Sequence, residues 1–234
     1  MLNRRVTNFI RYILDEWIPP VLRESKIFMY PMMYIWFKGK NVSKNMNFKS
    51  VFHTLSDEEF TKYYEEYDYI ANRDTDLSND SISYIISNFG PKKDVSILDV
   101  GCGCGYVLKQ AYDKGYTNLL GADLVPKSKF PEISIVTANI ESLPFADKQF
   151  DIVTCSHTLE HVLDLPKAIS ELKRVARKLI ITVPKQRYYN YTFDLHIHFF
   201  PQISYLLKYI NEPTENITYK NIKGDWTVVV TLNK

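Results

Sequence analysis

The chain has 234 residues, 45% of them apolar and 24% charged, with a formal net charge of +2. That length accommodates one α/β domain with an elaboration and a sizeable core. The small net charge excludes a chain whose whole surface is built for nucleic acid.

The three cysteines are Cys102, Cys104 and Cys155. A small odd number inside the expected core suits a reducing compartment. Cys102 and Cys104 are too close for a usual disulfide and lack zinc spacing. The N-terminus has no apolar segment followed by a small-residue cleavage site, so a cytoplasmic protein is expected.

In chain order, Val6, Phe9, Ile10, Ile13, Leu14 and Trp17 recur at the helical period, and Pro19-Pro20 ends the run. A second apolar run, Ile27 to Phe37, is interrupted by Pro31 and flanked by Arg23, Lys26, Lys38 and Lys40. It is shorter than the roughly 20 apolar residues a bilayer-spanning helix needs. Residues 1–40 therefore read either as a helical cap packed on the domain or across a dimer, or as an interfacial pair touching a membrane or a partner. Residues 41–56 are polar and read as a linker, which makes 1–56 an amphipathic helical extension and 57–234 the main domain. Ser56 and Glu59 form a capping-box signature for a helix over residues 57–72, which carries Tyr63, Tyr64, Tyr67 and Tyr69. Ile82 to Phe89 reads as a helix stopped by Gly90-Pro91.

The β-rich run Val95 to Val100 feeds into Gly101, Gly103 and Gly105, with Asp99 two residues before the first glycine. A dinucleotide fingerprint would need glycine at position 106, which is Tyr106. Leu119 to Asp123 reads as a second strand ending in an acid, and Ile133 to Ala138 as a third, followed by Asn139-Ile-Glu-Ser-Leu-Pro-Phe145. Phe150 to Ser156 is the fourth strand, followed by His157-Thr-Leu-Glu-His161, and Lys178 to Pro184 is the fifth. If a helix starts early after the fourth strand, His157 and His161 share one of its faces. Lys185 to His198 is aromatic and polar enough to wall a pocket, and His196 to Phe200 opens a helical stretch. Ile217–Ile222 and Trp226–Leu232 read as strands joined across Lys223-Gly224-Asp225.

This ordered set over roughly residues 90–210 resembles the class I S-adenosylmethionine (AdoMet) methyltransferases of the methyltransferase-11 type. The resemblance implies a Rossmann-like α/β fold, a mostly parallel seven-stranded sheet with helices on both faces, plus the helical N-terminal extension. It implies AdoMet as cofactor and S-adenosylhomocysteine as product. Asp99 would orient the methionine amino group. Gly101, Cys102, Gly103 and Gly105 would let the chain pass close to the cofactor. Asp123 with Leu124 would take the ribose, and Asn139, standing where the family has an acid, would meet the adenine with Ile140. Ser156 and His157 would face the methyl group.

The implied catalytic set is His157 as general base, with Glu160, His161 and His198. His157-x-x-Glu160-His161 with His196 and His198 also looks like a metal-binding constellation of some relatives. Its first position is an imidazole rather than a carboxylate, so no metal is expected. Trp17-Ile-Pro-Pro-Val-Leu-Arg-Glu-Ser25 looks similar to extensions on methyltransferases of bacterial surface-glycan synthesis. A helix near residues 57–72 covers the cofactor in relatives, which directs attention to its tyrosines and Arg73. The expectation is O-methylation of a small or glycan-linked acceptor, with no nucleic acid favoured. Its alternatives are a quinone-like lipid or nucleic-acid end as acceptor, or a non-catalytic binding protein. Residues 1–40 would supply any peripheral membrane or dimer contact.

Overall fold

The computed structural model of the protein describes residues 9–10, 12–14, 16–66 and 74–232. The chain divides into two compact units, Met1–Arg73 with Arg187–Ile197, and Asp74–Gln186 with His198–Lys234.

The first unit is helical. Helix α1 (Pro20–Arg23) follows Pro19, and α2 (Lys26–Trp36) is capped by Ser25, whose side chain accepts from the Phe28 amide. Contrary to the expected interruption, α2 runs through Pro31. Pro31 lies on the exposed side, where the carbonyl it leaves unpaired can meet solvent. The expected linker is also largely helix: α3 spans Val42–Val51 and buries Val42, Met46 and Phe48. The Phe48 ring lies within 6.4 Å of Phe60 and 5.3 Å of Tyr63, so a few apolar residues in a polar run suffice to seat the helix. Helix α4 (Asp57–Glu65) starts at the capping box, with Ser56 and Glu59 satisfying each other's backbone amides. The domain boundary expected at residue 56 falls inside this unit. Val6, Tyr67, Tyr69 and Arg73 lie outside the described residues.

Residues 187–197 belong to the same unit. Phe193 packs on Trp36, the Asn190 amide donates to Glu24, and Tyr64 donates to the Leu195 carbonyl. The guanidinium of Arg23 lies over the Tyr189 ring, and Lys49 donates to the Tyr189 carbonyl. The aromatic segment is thus consumed in packing, with Tyr189 buried and Tyr188 exposed.

The second unit is a seven-stranded sheet in the order β3-β2-β1-β4-β5-β7-β6. The strands are β1 (Ile97–Val100), β2 (Leu119–Asp123), β3 (Ser134–Thr137), β4 (Phe150–Ser156), β5 (Ala176–Pro184), β6 (Ile217–Ile222) and β7 (Asp225–Thr231). The first five are parallel, and β7 runs antiparallel to both β5 and β6. The β6–β7 turn is the two-residue Lys223-Gly224, with φ of 52° and 91°, so Ile222 pairs with Asp225. Asp225 therefore opens the strand and is not a turn residue.

Strand side chains alternate between faces. Leu98, Val153, Leu179 and Val228 point to a core closed by α7 (Leu165–Val175) and α8 (Ile203–Ile210). Ile97, Ile152, Ile180 and Val229 point to the opposite core, under α5 (Asn79–Ser87) and α6 (Tyr106–Tyr112). Leu172 is fully buried in the first core, where truncation to alanine costs about 2–5 kcal/mol. The helix expected to open at His196 begins instead at Ile203, after Pro201, which disfavours a helical conformation at Phe200. No helix follows β4 directly either, since residues 157–164 are turns and bends up to the Asp164 cap of α7. The shared helix face expected for His157 and His161 does not exist.

Candidate active site

On the α5/α6 face, each strand turns polar towards one end of the sheet. Two residues after Ile97 comes Asp99, and after Ile152 come Thr154 and Ser156. After Ile180 comes Thr182, and before Val229 stand Thr227 and Asp225. Because β7 is antiparallel, its first residues lie at the carboxyl ends of the parallel strands, the edge at which open α/β sheets bind ligands. Period two therefore gathers one polar cluster from four strands.

Asp99 is 2% exposed, and its Oδ1 accepts from Thr154 Oγ1 at 2.6 Å across the β1–β4 register. Burial raises its pKa to about 7; the Thr154 hydrogen bond opposes this and the charge of Asp123 adds to it. An ammonium group against this carboxyl would favour its ionised form.

The glycine turn follows. The amides of Gly101 and Cys102 both donate to the Ala122 carbonyl, and Gly101 has a φ of 72°. A Cβ there would overlap the Thr158 side chain, so Gly101 admits that residue as well as the turn. Gly103, with φ of 55°, faces open space. Its amide donates to Asp123 Oδ2 at 2.7 Å, while the Val125 amide donates to Oδ1 at 2.9 Å. Asp123 thus braces the glycine turn and its own loop, and its remaining lone pairs could still accept from ribose hydroxyls. Burial, then the charges of Asp99 and Asp123, push the Cys102 thiol far up, so it stays protonated.

A cleft of about 510 Å³, open solvent included, lies beside these residues. Asp99, Gly101, Cys102, Gly103, Ser156 and His157 line it, together with Asp74, Thr75, Asp76, Leu77, Tyr106 and Val107. Three of its walls are carboxyls, of which Asp74 pairs with Lys129. Ser156 Oγ is buried and has no hydrogen-bond partner, so the cleft offers a ligand an unused hydroxyl. Gly105, Asp123, Leu124, Asn139 and Ile140 do not line it. Gly105 caps α6, Leu124 is half-buried, and Ile140 packs in the core. Asn139 Oδ1 accepts from the Glu141 amide at 2.9 Å and keeps one lone pair. Glu141 in turn accepts from the amides of Leu163 and Asp164, tying this loop to the one after β4.

His157 follows β4 with a φ of 52°, and its amide donates to the Thr182 carbonyl. Its Nε2 lies 3.3 Å from Asp225 Oδ1, and its Nδ1 lies 3.7 Å from Glu160 Oε1. Both carboxyls are buried. Burial lowers the imidazole pKa, but contact with Asp225 and the charges of Asp225, Glu160 and Asp76 outweigh it, and the net shift is upward. Glu160 is raised to about 7 by its burial, which His157 partly offsets. The His161 amide donates to the Thr158 carbonyl, and His198 Nε2 meets the Val162 carbonyl at 2.9 Å. Burial, first of all, lowers the His198 pKa. His196 belongs to the helical unit and pairs with Asp194 at 3.4 Å.

Sequence reading did not single out Asp74, Asp76, Thr154 or Asp225. The signal for Thr154 and Asp225 was present as the period-two polar positions described above. Asp74 and Asp76 precede the Ser78 cap of α5 and carried no motif.

Residues 98–179 match the family model of the methyltransferase domain. Residues 98–179 thus carry a methyltransferase-domain match, set in a sheet of the class I AdoMet-dependent methyltransferase fold. The chain is 38% identical over 119 residues to an uncharacterized protein of Methanocaldococcus jannaschii, covering 49% of this chain and 52% of that one. It is 31% identical over 99 residues to a ubiquinone/menaquinone biosynthesis C-methyltransferase of Campylobacter jejuni, covering 37% and 42%. With a 2-phytyl-1,4-naphtoquinone methyltransferase of Trichormus variabilis it shares 35% over 102 residues, covering 38% and 44%. The chain thus spans about half the length of the curated relatives it matches. A SAM-dependent methyltransferase of Aquifex aeolicus shares the fold, with a TM-score of 0.50 and 16% identity over 74% of this chain and 98% of the other. For a methyltransferase domain of this class the cofactor is AdoMet, and the residues present fit it. Buried Asp99 faces the cleft at the end expected for an ammonium, Gly103 leaves room for close approach, and Ser156 offers a free hydroxyl.

Proposed function

We propose that the protein transfers a methyl group from AdoMet to a hydroxyl of a small acceptor, with a glycan-linked hydroxyl as the favoured class. AdoMet, when bound, supplies an electrophilic methyl on a sulfonium whose leaving group is neutral. The chain then has two tasks, aligning the acceptor oxygen and taking its proton. The observation that carries the reading is the imidazole of His157 set in the cleft against buried Asp225. A carboxylate beside an imidazole strengthens it as a base, which suits removal of a hydroxyl proton. With Nε2 towards Asp225, Nδ1 is the nitrogen that takes the proton, and Glu160, 3.7 Å away, offsets the charge of the imidazolium that results. Ser156 Oγ is placed to hydrogen-bond a ligand beside it, and Asp99 to hold the cationic end of the cofactor.

The acidic walls favour a cationic ligand over an anionic one. The quinone acceptors named for two relatives are not carried over, because those matches span less than half of either chain. A labelled-methyl assay against a panel of sugars, glycolipid headgroups, phenols and quinols tests the proposal. Label in an O-methyl product that is lost with His157→Ala supports it. Label found only on ring carbon would replace it with the quinone-like acceptor.

A further inference from the structure

Helix α2 is apolar on both faces, and only one face is used inside its own unit. Met29, Met33 and Phe37 are buried. At the helical period on the other side stand Ile27, Tyr30, Pro31, Tyr34 and Ile35, all exposed. Ile27 is 88% exposed and Ile35 77%, values seldom seen for isoleucine on a helix of a soluble domain. The adjoining turn and α1 add Trp17 at 73% and Val21 at 76%. This is a contiguous run of elements, not scattered single residues, and its aromatic members are tyrosine and tryptophan, the side chains that settle at a membrane–water boundary.

The charges along α2 and after it are basic. Between Glu24 and Asp57 the chain carries five lysines, at 26, 38, 40, 44 and 49, and no acidic residue. Lys26, Lys38 and Lys40 are exposed and bracket the two ends of α2. Lys26 donates to Asn47 Oδ1 and Lys44 pairs with Glu66, while Glu24 accepts from the Asn190 amide and Glu16 pairs with Arg187. Among the described residues no helix is long and apolar enough to cross a membrane.

We infer that α1 and α2 form a docking surface for an anionic lipid bilayer, with the Ile27–Ile35 face in the headgroup layer and Lys26, Lys38 and Lys40 on the lipid phosphates. An amphipathic helix with aromatic and aliphatic residues on one side and lysines at its rim has the chemistry for that position. A second copy of the chain fits less well, because a two-fold contact through this patch would set like lysines against each other. The inference does not depend on the methyl-transfer reading.

The test uses the full chain with extruded vesicles of phosphatidylcholine alone, or with about 30% phosphatidylglycerol. Sedimentation should show binding to the anionic vesicles that weakens as salt is added. Ile27→Glu with Ile35→Glu should weaken it more than tenfold with AdoMet affinity unchanged, and Lys26→Ala or Lys38→Ala about fivefold each. In the unmodified protein, brominated lipid should quench a fraction of tryptophan emission that Trp17→Phe removes. The inference is overturned if the chain ignores anionic vesicles, if the double variant binds them as well as the parent, or if brominated lipid leaves Trp17 unquenched. Light scattering that shows a dimer broken by the double variant, without vesicle binding, would overturn it in favour of self-association.

Discussion

His157 Nε2 lies 3.3 Å from Asp225 Oδ1, which joins the residue after the fourth strand to the first residue of the seventh. The sheet makes this contact: β5 separates the two strands, and the antiparallel course of β7 brings its first residue to the edge where β4 ends.

If this pair handles the acceptor proton, His157→Ala should lower kcat by about 10²-fold or more, since general-base catalysis contributes typically 10²–10⁴-fold. AdoMet affinity should hardly change. Asp225→Asn should move the acid limb of the rate profile to lower pH, because the carboxylate is a main cause of the raised imidazole pKa. A pH profile unchanged in Asp225→Asn would detach Asp225 from the chemistry.

Stability should depend on pH with an unusual sign. Asp99 and Glu160 are both raised to about 7, and His157 is raised as well. Between the ordinary carboxylate range and pH 7 these three groups hold more protons in the folded state than in the unfolded one, and they outnumber His198, whose lowered pKa acts the other way, so stability falls as pH rises. The apo protein should melt at a lower temperature at pH 7 than at pH 5. The window ends there, because Lys49 is lowered to about 7 by its burial and reverses the slope above neutrality. Calorimetric melts in constant ionic strength give the answer. A melting temperature that rises from pH 5 to pH 7 would show that these groups titrate normally.

Two glycines of one turn should respond differently. Gly101→Ala forces a Cβ into Thr158 at a positive φ and should destabilise the apo fold by more than the roughly 1–2 kcal/mol of left-handed strain. Gly103→Ala meets no protein atom, so its apo cost should be the strain alone, while the methyl narrows the approach for a ligand. Equal stability losses with unchanged AdoMet affinity for Gly103→Ala would place the ligand elsewhere.

Much of the sheet was legible because its strands obey simple patterning. Leu119–Asp123, Phe150–Ser156 and Ile217–Ile222 fall where the apolar runs and turn residues put them. The glycine turn and Asp99 were legible because few other residues tolerate those backbone angles or that strand-end position. Where the reading failed, local signals were weak or overridden by packing. The α3 segment is polar, and three buried residues hold it. The residues after β4 look helical by composition, yet His157 takes a left-handed φ and the chain turns instead. Asp225 was hidden in a hairpin signal, since the turn needs only Lys223-Gly224. Its partner is far away in sequence, and only the strand order brings the two together.

Asp123 should prove to be both scaffold and ligand residue. Its carboxylate holds the amides of Gly103 and Val125, so Asp123→Ala leaves two donors without their partner. A loss of about 1–3 kcal/mol in apo stability is expected, along with weaker AdoMet binding. Chemical denaturation of the apo variant measures the first, and titration the second. Unchanged apo stability would mean that the loop satisfies those amides in another way.

The central claim is that the cleft beside Asp99 holds AdoMet, and isothermal titration of AdoMet into the parent chain and Asp99→Ala tests it most directly. The account predicts one site in the parent and a roughly 10- to 100-fold weaker one in the variant, the worth of a charge-assisted hydrogen bond. A folded Asp99→Ala that binds AdoMet as tightly as the parent would contradict it.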